Sequence, residues 1–205
     1  MLKVGITGGI GSGKTTICQV FEVLGIPVFY ADAVAKQMMH TDEKLKQEIQ
    51  VLFGEQSYTD EGYLDSKYLA NIVFKDKKKL DKLNAIVHPA VFNAFDHWVL
   101  KQRHVSYVVK EAALLFESDS HKMCHYSVLI KAPLDLKIQR VMQRDHISLE
   151  EINLRMSRQF TDEQKQSMAD FILINDEQKL LIPEVIALHE HFLKLDKGKY
   201  CRAFL

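Results

Sequence analysis

The stretch Gly8-Gly9-Ile10-Gly11-Ser12-Gly13-Lys14-Thr15-Thr16 constrains this chain more than any other. It follows the apolar run Val4-Gly5-Ile6-Thr7 and leads at once into a helical pattern, so the phosphate-loop motif G-x-x-x-x-G-K-[ST] appears in its required strand, loop, helix context. Glycines at 9, 11 and 13 let the backbone turn through conformations that a Cβ resists, so that successive N–H groups converge on one anion. Lys14 supplies a point charge for outer phosphates and Thr15 a hydroxyl where Mg2+ would sit. The helix begins with its positive end toward the same place. The bland alternative is a glycine-rich turn with an incidental lysine. A nearer rival, the dinucleotide-binding glycine loop, needs no lysine and threonine after its last glycine.

The rest of the chain reads as a sheet built around that loop. Five runs have strand character: Lys3–Thr7, Val28–Tyr30, Val105–Val109, Tyr126–Ile130 and Phe171–Ile174. They alternate with helical patterns, which defines an α/β fold with a parallel five-stranded sheet flanked by helices. Ile17, Val20, Phe21 and Leu24 mark the first helix, closed by Gly25-Ile26-Pro27. Leu181, Val185, Leu188, Phe192 and Leu195 mark a last one. Ligands bind at the carboxyl edge of such a sheet, and Asp32, Glu111 and Asn175 follow the second, third and fifth strands there. Asp32 is placed to meet a phosphoryl acceptor. Glu111 is the carboxylate available for a metal, with a simple surface ion as its other reading.

Between the second and third strands lies a long, more polar and mostly helical excursion, the natural place for a specificity domain. Within it, a helix marked by Leu80, Leu83, Ile86 and Val87 is expected to stop near His88-Pro89. The basic run from Lys75 to Lys79 reads first as a solvated helix start or loop, and second as an anion contact. Arg140 and Arg144 stand four apart on one helix face, where two guanidinium forks suit phosphate oxygens. Arg155 and Gln159 share the same spacing. The polar segment around them reads as a lid that keeps water from the phosphoryl group, with a charged surface helix pair as the alternative.

Lysine plus arginine number 27 and aspartate plus glutamate 27, so no global basic field invites nucleic acid and an anion must be held by a local cluster. Cys18, Cys124 and Cys201 are scattered without metal-ligand spacing, and the histidine pairs His121/His125 and His189/His191 lack the rest of a zinc site. No apolar run approaches the roughly 18 residues of a membrane span, which with the cysteine usage gives an expectation of a cytoplasmic protein without membrane contact. No N-K-x-D guanine-reading sequence is present, so a GTP switch is disfavoured. Transfer of a phosphoryl group to a small molecule fits the chain's size better, with Asp32 orienting the acceptor hydroxyl and taking its proton. A nucleotide-binding regulatory protein without transfer activity stays open.

The whole chain resembles the dephospho-coenzyme A kinase family. The likeness rests on Ile6–Thr16, Ala31-Asp32, Leu69, Val73-Phe74, His88-Pro89, Leu114-Leu115-Phe116-Glu117, Arg140 with Arg144, Arg155 with Gln159, and Ala169-Asp170 ahead of Asn175. It implies ATP-dependent phosphorylation of the ribose 3′-hydroxyl of dephospho-coenzyme A, with ATP and Mg2+ required and monomers as the working form. It implies a nucleotide core from residues 1–31, 96–137 and 166–205, a coenzyme A-binding helical domain at 32–95 and a lid at 138–165. By the same likeness Asp32, Lys14 and Arg140 are catalytic. Gly9, Ile10, Gly11, Ser12, Gly13, Lys14, Thr15, Thr16, Arg144 and Asn175 are expected to hold the nucleotide, Asn175 near the adenine, and Thr15 the metal; Glu111, outside the likeness, is either a further metal carboxylate or a simple surface ion. Departures from the family pattern are Tyr30 where aspartate is usual, Lys67 for arginine, which loses the bidentate fork, and Ala113 for proline. The alternative acceptor is another nucleoside or nucleotide hydroxyl.

Overall fold

The computed structural model describes residues 1–73 and 76–201, and 196–201 by backbone alone. Phe74 of the family likeness, Lys75 of the basic run and the Cys201 thiol therefore lie outside the described residues. The chain divides into two compact units, Met1–Tyr30 with Gln102–Leu205, and Ala31–Lys101.

The first unit carries one sheet of five strands: β1 (Leu2–Gly8), β2 (Val28–Tyr30), β3 (Tyr107–Glu111), β4 (Tyr126–Lys131) and β5 (Phe171–Ile174). Their order is β2-β3-β1-β4-β5 and every pairing is parallel. The three central strands are buried on both faces, which is why they read as nearly continuous apolar runs rather than alternating ones. One face is covered by α1 (Lys14–Val23) and α9 (Leu181–Cys201), whose Ile17, Phe21, Val185 and Phe192 join Val4, Ile6, Tyr107, Val109, Val128 and Leu173 in a single core. Between β4 and β5 come α6 (Leu134–Asp145), α7 (Leu149–Met156) and α8 (Asp162–Gln166). Both short helices α7 and α8 open with complete capping boxes, Ser148 with Glu151 and Thr161 with Gln164, so each satisfies its own orphan amides.

β1 has β3 on one side and β4 on the other, so the chain leaves the sheet at β1 where the winding reverses, the place at which open α/β sheets bind ligands. The third strand is shifted from its expected span of 105–109. Glu111 is its last residue, in register with Ile6 of β1 and Tyr30 of β2, instead of lying in the loop beyond. The two neighbouring ladders extend pairing through Lys110 and Glu111, where polarity alone would have ended the strand. Tyr30 closes β2 with its hydroxyl donating to Glu22 of α1, so the residue standing in place of the family's aspartate is a packing residue.

The second unit contains α2 (Ala31–Thr41), α3 (Glu43–Phe53), α4 (Ser66–Val73) and α5 (Lys77–Lys101). Asp42 caps α3 by accepting the Leu45 N–H, and Gly54 ends it at a φ of 94°. Asp76 accepts the N–H groups of Lys78 and Lys79, so the described part of the basic run is the start of a helix. The expected stop at His88-Pro89 is overturned, because α5 runs through Pro89 for 25 residues. Leu83, Val87, Val91, Phe95 and Val99 recur every four residues across the proline and are all buried, and α2, α3 and α4 each pack on α5. Burial of that stripe outweighs the roughly 3 kcal/mol that an interior proline costs a helix. Among the described residues no helix is long and apolar enough to cross a membrane.

Candidate active site

The phosphate loop is shaped by two glycines that nothing else can replace. Gly11 and Gly13 hold φ of 78° and 93°, the left-handed region. A Cβ on Gly11 would come within 2.4 Å of the Lys137 carbonyl oxygen, and one on Gly13 within 2.3 Å of Asn175 Nδ2. The loop therefore lies directly against α6 and the end of β5. Ser12 N–H bonds back to the Gly9 carbonyl, and α1 starts with Lys14. Lys14 is buried with its ammonium on the Gly8 and Gly9 carbonyls at 3.0 and 3.3 Å, while Thr15 and Thr16 are exposed at the helix start. Ser12 Oγ is buried without a hydrogen-bond partner.

Asn175 and Arg140, distant in sequence, come to this loop. Asn175 donates from Nδ2 to the Ser12 carbonyl at 2.9 Å, and its own N–H holds the Lys131 carbonyl. Arg140 reaches the Gly11 carbonyl from Nη1 at 3.3 Å and the Asn175 carbonyl from Nη2 at 3.4 Å, with Glu177 pairing its outer edge at 2.7 Å. Arg144, one turn farther along α6, is exposed and clamps the Asp145 carboxylate from Nε and Nη2 at 2.7 and 3.0 Å. Arg155 joins the same carboxylate at 3.0 Å. The Arg144 guanidinium, hydrogen-bonded to the Asp145 side chain, holds that carboxyl below the usual range despite partial burial.

Arg155 and Gln159 do not share a helix face. α7 ends at Met156, and the following turn, with Ser157 N–H on Asn153 and Gln159 N–H on Met156, sends Gln159 elsewhere. Its Oε1 accepts the Ile10 N–H of the phosphate loop at 2.9 Å, and its Nε2 donates to the Ala113 carbonyl at 3.2 Å.

Glu111 is buried at the end of β3. Burial raises the thiol pKa of Cys18 well above its ordinary value, with the Glu111 carboxylate adding to the rise and Lys14 opposing it. Asp32 stands exposed in the first turn of α2, two residues beyond β2, and belongs to the helical unit.

The residues present fit a nucleotide phosphate and a hard cation. Ser12 Oγ is a buried polar atom of the loop left without a partner, and the Thr15 hydroxyl and the Glu111 carboxylate are oxygen donors of the kind Mg2+ prefers. Among the described residues no group of three or more His, Cys, Asp or Glu is placed to hold a metal ion by itself.

Several residues that sequence reasoning passed over support this loop. Lys137 and Asp162 form an ion pair at 2.8 Å, both largely buried, lying over Gly9 so closely that a Cβ there would meet Lys137 Nζ at 3.3 Å. Lys165 is fully buried, with its ammonium 3.1 Å from both Glu117 Oε1 and the Ala113 carbonyl. Nothing in a polar stretch such as Asp162–Gln166 announces that one lysine of it is buried. Of the histidines, His125 accepts the Lys3 N–H and His189 bonds the Tyr107 hydroxyl.

A parallel sheet with a lysine- and threonine-bearing glycine loop at its switch point, and an arginine and an asparagine bonded into that loop, defines a P-loop protein of the small kinase type. The family model described as Dephospho-CoA kinase matches residues 2–180. A dephospho-CoA kinase of Bacteroides fragilis (strain YCH46) is 36% identical over 187 residues, covering 91% of each chain. Among solved structures, TT1252 from Thermus thermophilus superposes with a TM-score of 0.76 at 30% identity, covering 100% of this chain and 98% of that one. A dephospho-CoA kinase from Campylobacter jejuni does so at 0.67 and 26%, covering 96% and 98%. The chain belongs to the dephospho-CoA kinase family and is a P-loop kinase.

Proposed function

We propose that this kinase transfers the γ-phosphoryl group of ATP to the ribose 3′-hydroxyl of dephospho-coenzyme A, giving coenzyme A and ADP, the last step of coenzyme A synthesis. The observation that carries the reading is the phosphate loop with Arg140 and Asn175 hydrogen-bonded into it, on a chain of this family.

Gly9 to Thr16 hold the donor's phosphates, with Asn175 bordering its adenine. Lys14 leaves the Gly8 and Gly9 carbonyls to meet the outer phosphates, and Arg140 adds charge at the Gly11 side of the loop. Arg144 contacts the nucleotide after releasing Asp145. Asp32 orients the acceptor hydroxyl and takes its proton as the new O–P bond forms and the bond between the γ-phosphorus and the β,γ-bridging oxygen breaks. Thr15, with Glu111 directly or through water, would hold Mg2+, which would supply neutralisation of the charge on the phosphates. Residues 1–31, 96–137 and 166–205 form the nucleotide core, 32–95 receive coenzyme A, and 138–165 close as a lid that excludes water. The protein works as a monomer in the cytoplasm.

The test is ADP formation on a panel of acceptors, with coenzyme A identified by mass. Faster turnover on a nucleoside monophosphate would transfer the reading to another nucleotide kinase, and tight ATP binding without any acceptor-stimulated ADP would end it.

A further inference from the structure

We propose that Gln159 is a positioning residue, a clasp that ties the C-terminal part of the lid segment to the phosphate loop. This rests on the kinase reading above and goes beyond it.

From Gln159 onward several polar contacts reach the loop and its surroundings. Gln159 bridges the Ile10 N–H and the Ala113 carbonyl, and the Phe160 N–H reaches Glu117 at 2.7 Å. Asp162 pairs with Lys137 over Gly9, and Lys165 is sunk against Glu117 and Ala113. The Ala113 carbonyl also accepts from the Thr7 hydroxyl of β1, so the clasp is tied to the strand that feeds the loop. Before Gln159 several bonds are of shorter reach, and Ile152 of α7 is buried. Arg155 meets Asp145, the Ser157 hydroxyl meets Leu154, and the capping box of α7 closes on itself. At the other end of this segment His146 holds a φ of 53°, a left-handed turn between α6 and α7. One primary amide has both a donor and an acceptor, and this position uses both, on two different parts of the core. A clasp there keeps residues 9 and 10 covered and sets the register in which the arginines approach the donor, while the phosphate cradle itself is left intact.

The full-length protein carries the test, in the variants Gln159→Leu and Gln159→Glu. In the ligand-free protein the Ile10 amide should exchange its hydrogen at least about tenfold faster in Q159L than in wild type, with Ile6 unchanged. In Q159E, which keeps the acceptor oxygen, its protection should persist. Transfer to dephospho-coenzyme A should fall by roughly 10- to 100-fold in kcat in Q159L with the ATP KM within about threefold, because misplacement by about an ångström has that order of effect. ADP made without acceptor should rise relative to transfer, and Q159E, which keeps the bond to Ile10 and loses the one to Ala113, should show a kcat between those of Q159L and wild type. If Q159L does not fold, Gln159→Asn, whose amide is one methylene too short to span both partners, gives the same readouts. An unchanged Ile10 exchange rate, or a Q159L kcat within twofold of wild type, overturns the clasp. A wild-type protein that turns over a different acceptor, with kcat and exchange responding as above, overturns the acceptor assignment and leaves the clasp standing.

Discussion

The two units of the chain bury different kinds of residue. Among the described residues the sheet unit buries Thr7, Ser12, Lys14, Lys110, Glu111, Ser120, Ser127, Lys137 and Lys165, while the helical unit buries only Ser57 of the polar types. Charged groups taken out of water persist only when paired or hydrogen-bonded. The sheet unit has accordingly organised its interior around ammonium and carboxylate groups near the phosphate loop. The helical unit is held by the apolar stripe of α5, and the carboxylate on which the proposed transfer depends, Asp32, stands exposed on it. The contrast separates chemistry from stability: in the helical unit the two reside in different residues, and around the loop they overlap.

Replacing Asp32 by Asn breaks the comparison most sharply. Transfer should drop by about 10² to 10⁴-fold if that carboxylate takes the acceptor proton, while the melting temperature stays unchanged and ATP binding is largely kept. Near-normal turnover in D32N would remove Asp32 from the chemistry. In the opposite sense, Phe95→Ala in the helical unit should cost about 3–5 kcal/mol of unfolding free energy by opening a cavity in the stripe. Lys165→Met in the sheet unit should cost a similar ~3–5 kcal/mol for a different reason, since it leaves the Glu117 carboxylate buried without its ammonium. Denaturant titration measures both. If K165M were neutral, the buried polar groups of the sheet unit would be incidental.

How much of this was legible in the sequence divides along the same line. The loop, the five strands and their parallel arrangement follow from local pattern, because glycine chemistry and apolar runs are properties of neighbours in the chain. Long-range pairing was not legible. The extension of β3 to Glu111 depends on ladders with β1 and β2, and the burial of Lys137 and Lys165 depends on partners 25 and 48 residues away, Asp162 and Glu117. Arg155 and Gln159 were paired by spacing alone, and a helix end between them undid it. The proline of α5 misled for the converse reason, because a strong local signal yielded to a stripe that is buried on both sides of it. Pro89→Ala should therefore stabilise the protein by about 1–3 kcal/mol, since the amide regained at position 89 can bond within a helix that already exists. A destabilised P89A would mean that the groove lined by Pro89, Ala85, Ala90 and Asn93 needs the ring itself.

The smallest effect concerns the carboxylate that ties Arg144 and Arg155 together. Asp145 is partly exposed and its partners more so, which limits Asp145→Asn to about 0.5–1 kcal/mol at neutral pH. The sign with pH follows from the direction of its shift. The folded carboxyl is held below its unfolded pKa by the Arg144 hydrogen bonds, so the stabilisation is present above the unfolded value and disappears as pH falls through the folded one. The stability gap between wild type and D145N should thus close on acidification, and shrink in high salt at neutral pH. A gap that persisted unchanged below both pKa values would mean that Asp145 acts by packing. In that case releasing Arg144 to a nucleotide would require no competition between carboxylate and phosphate, and D145N would leave the ATP KM where it is in wild type.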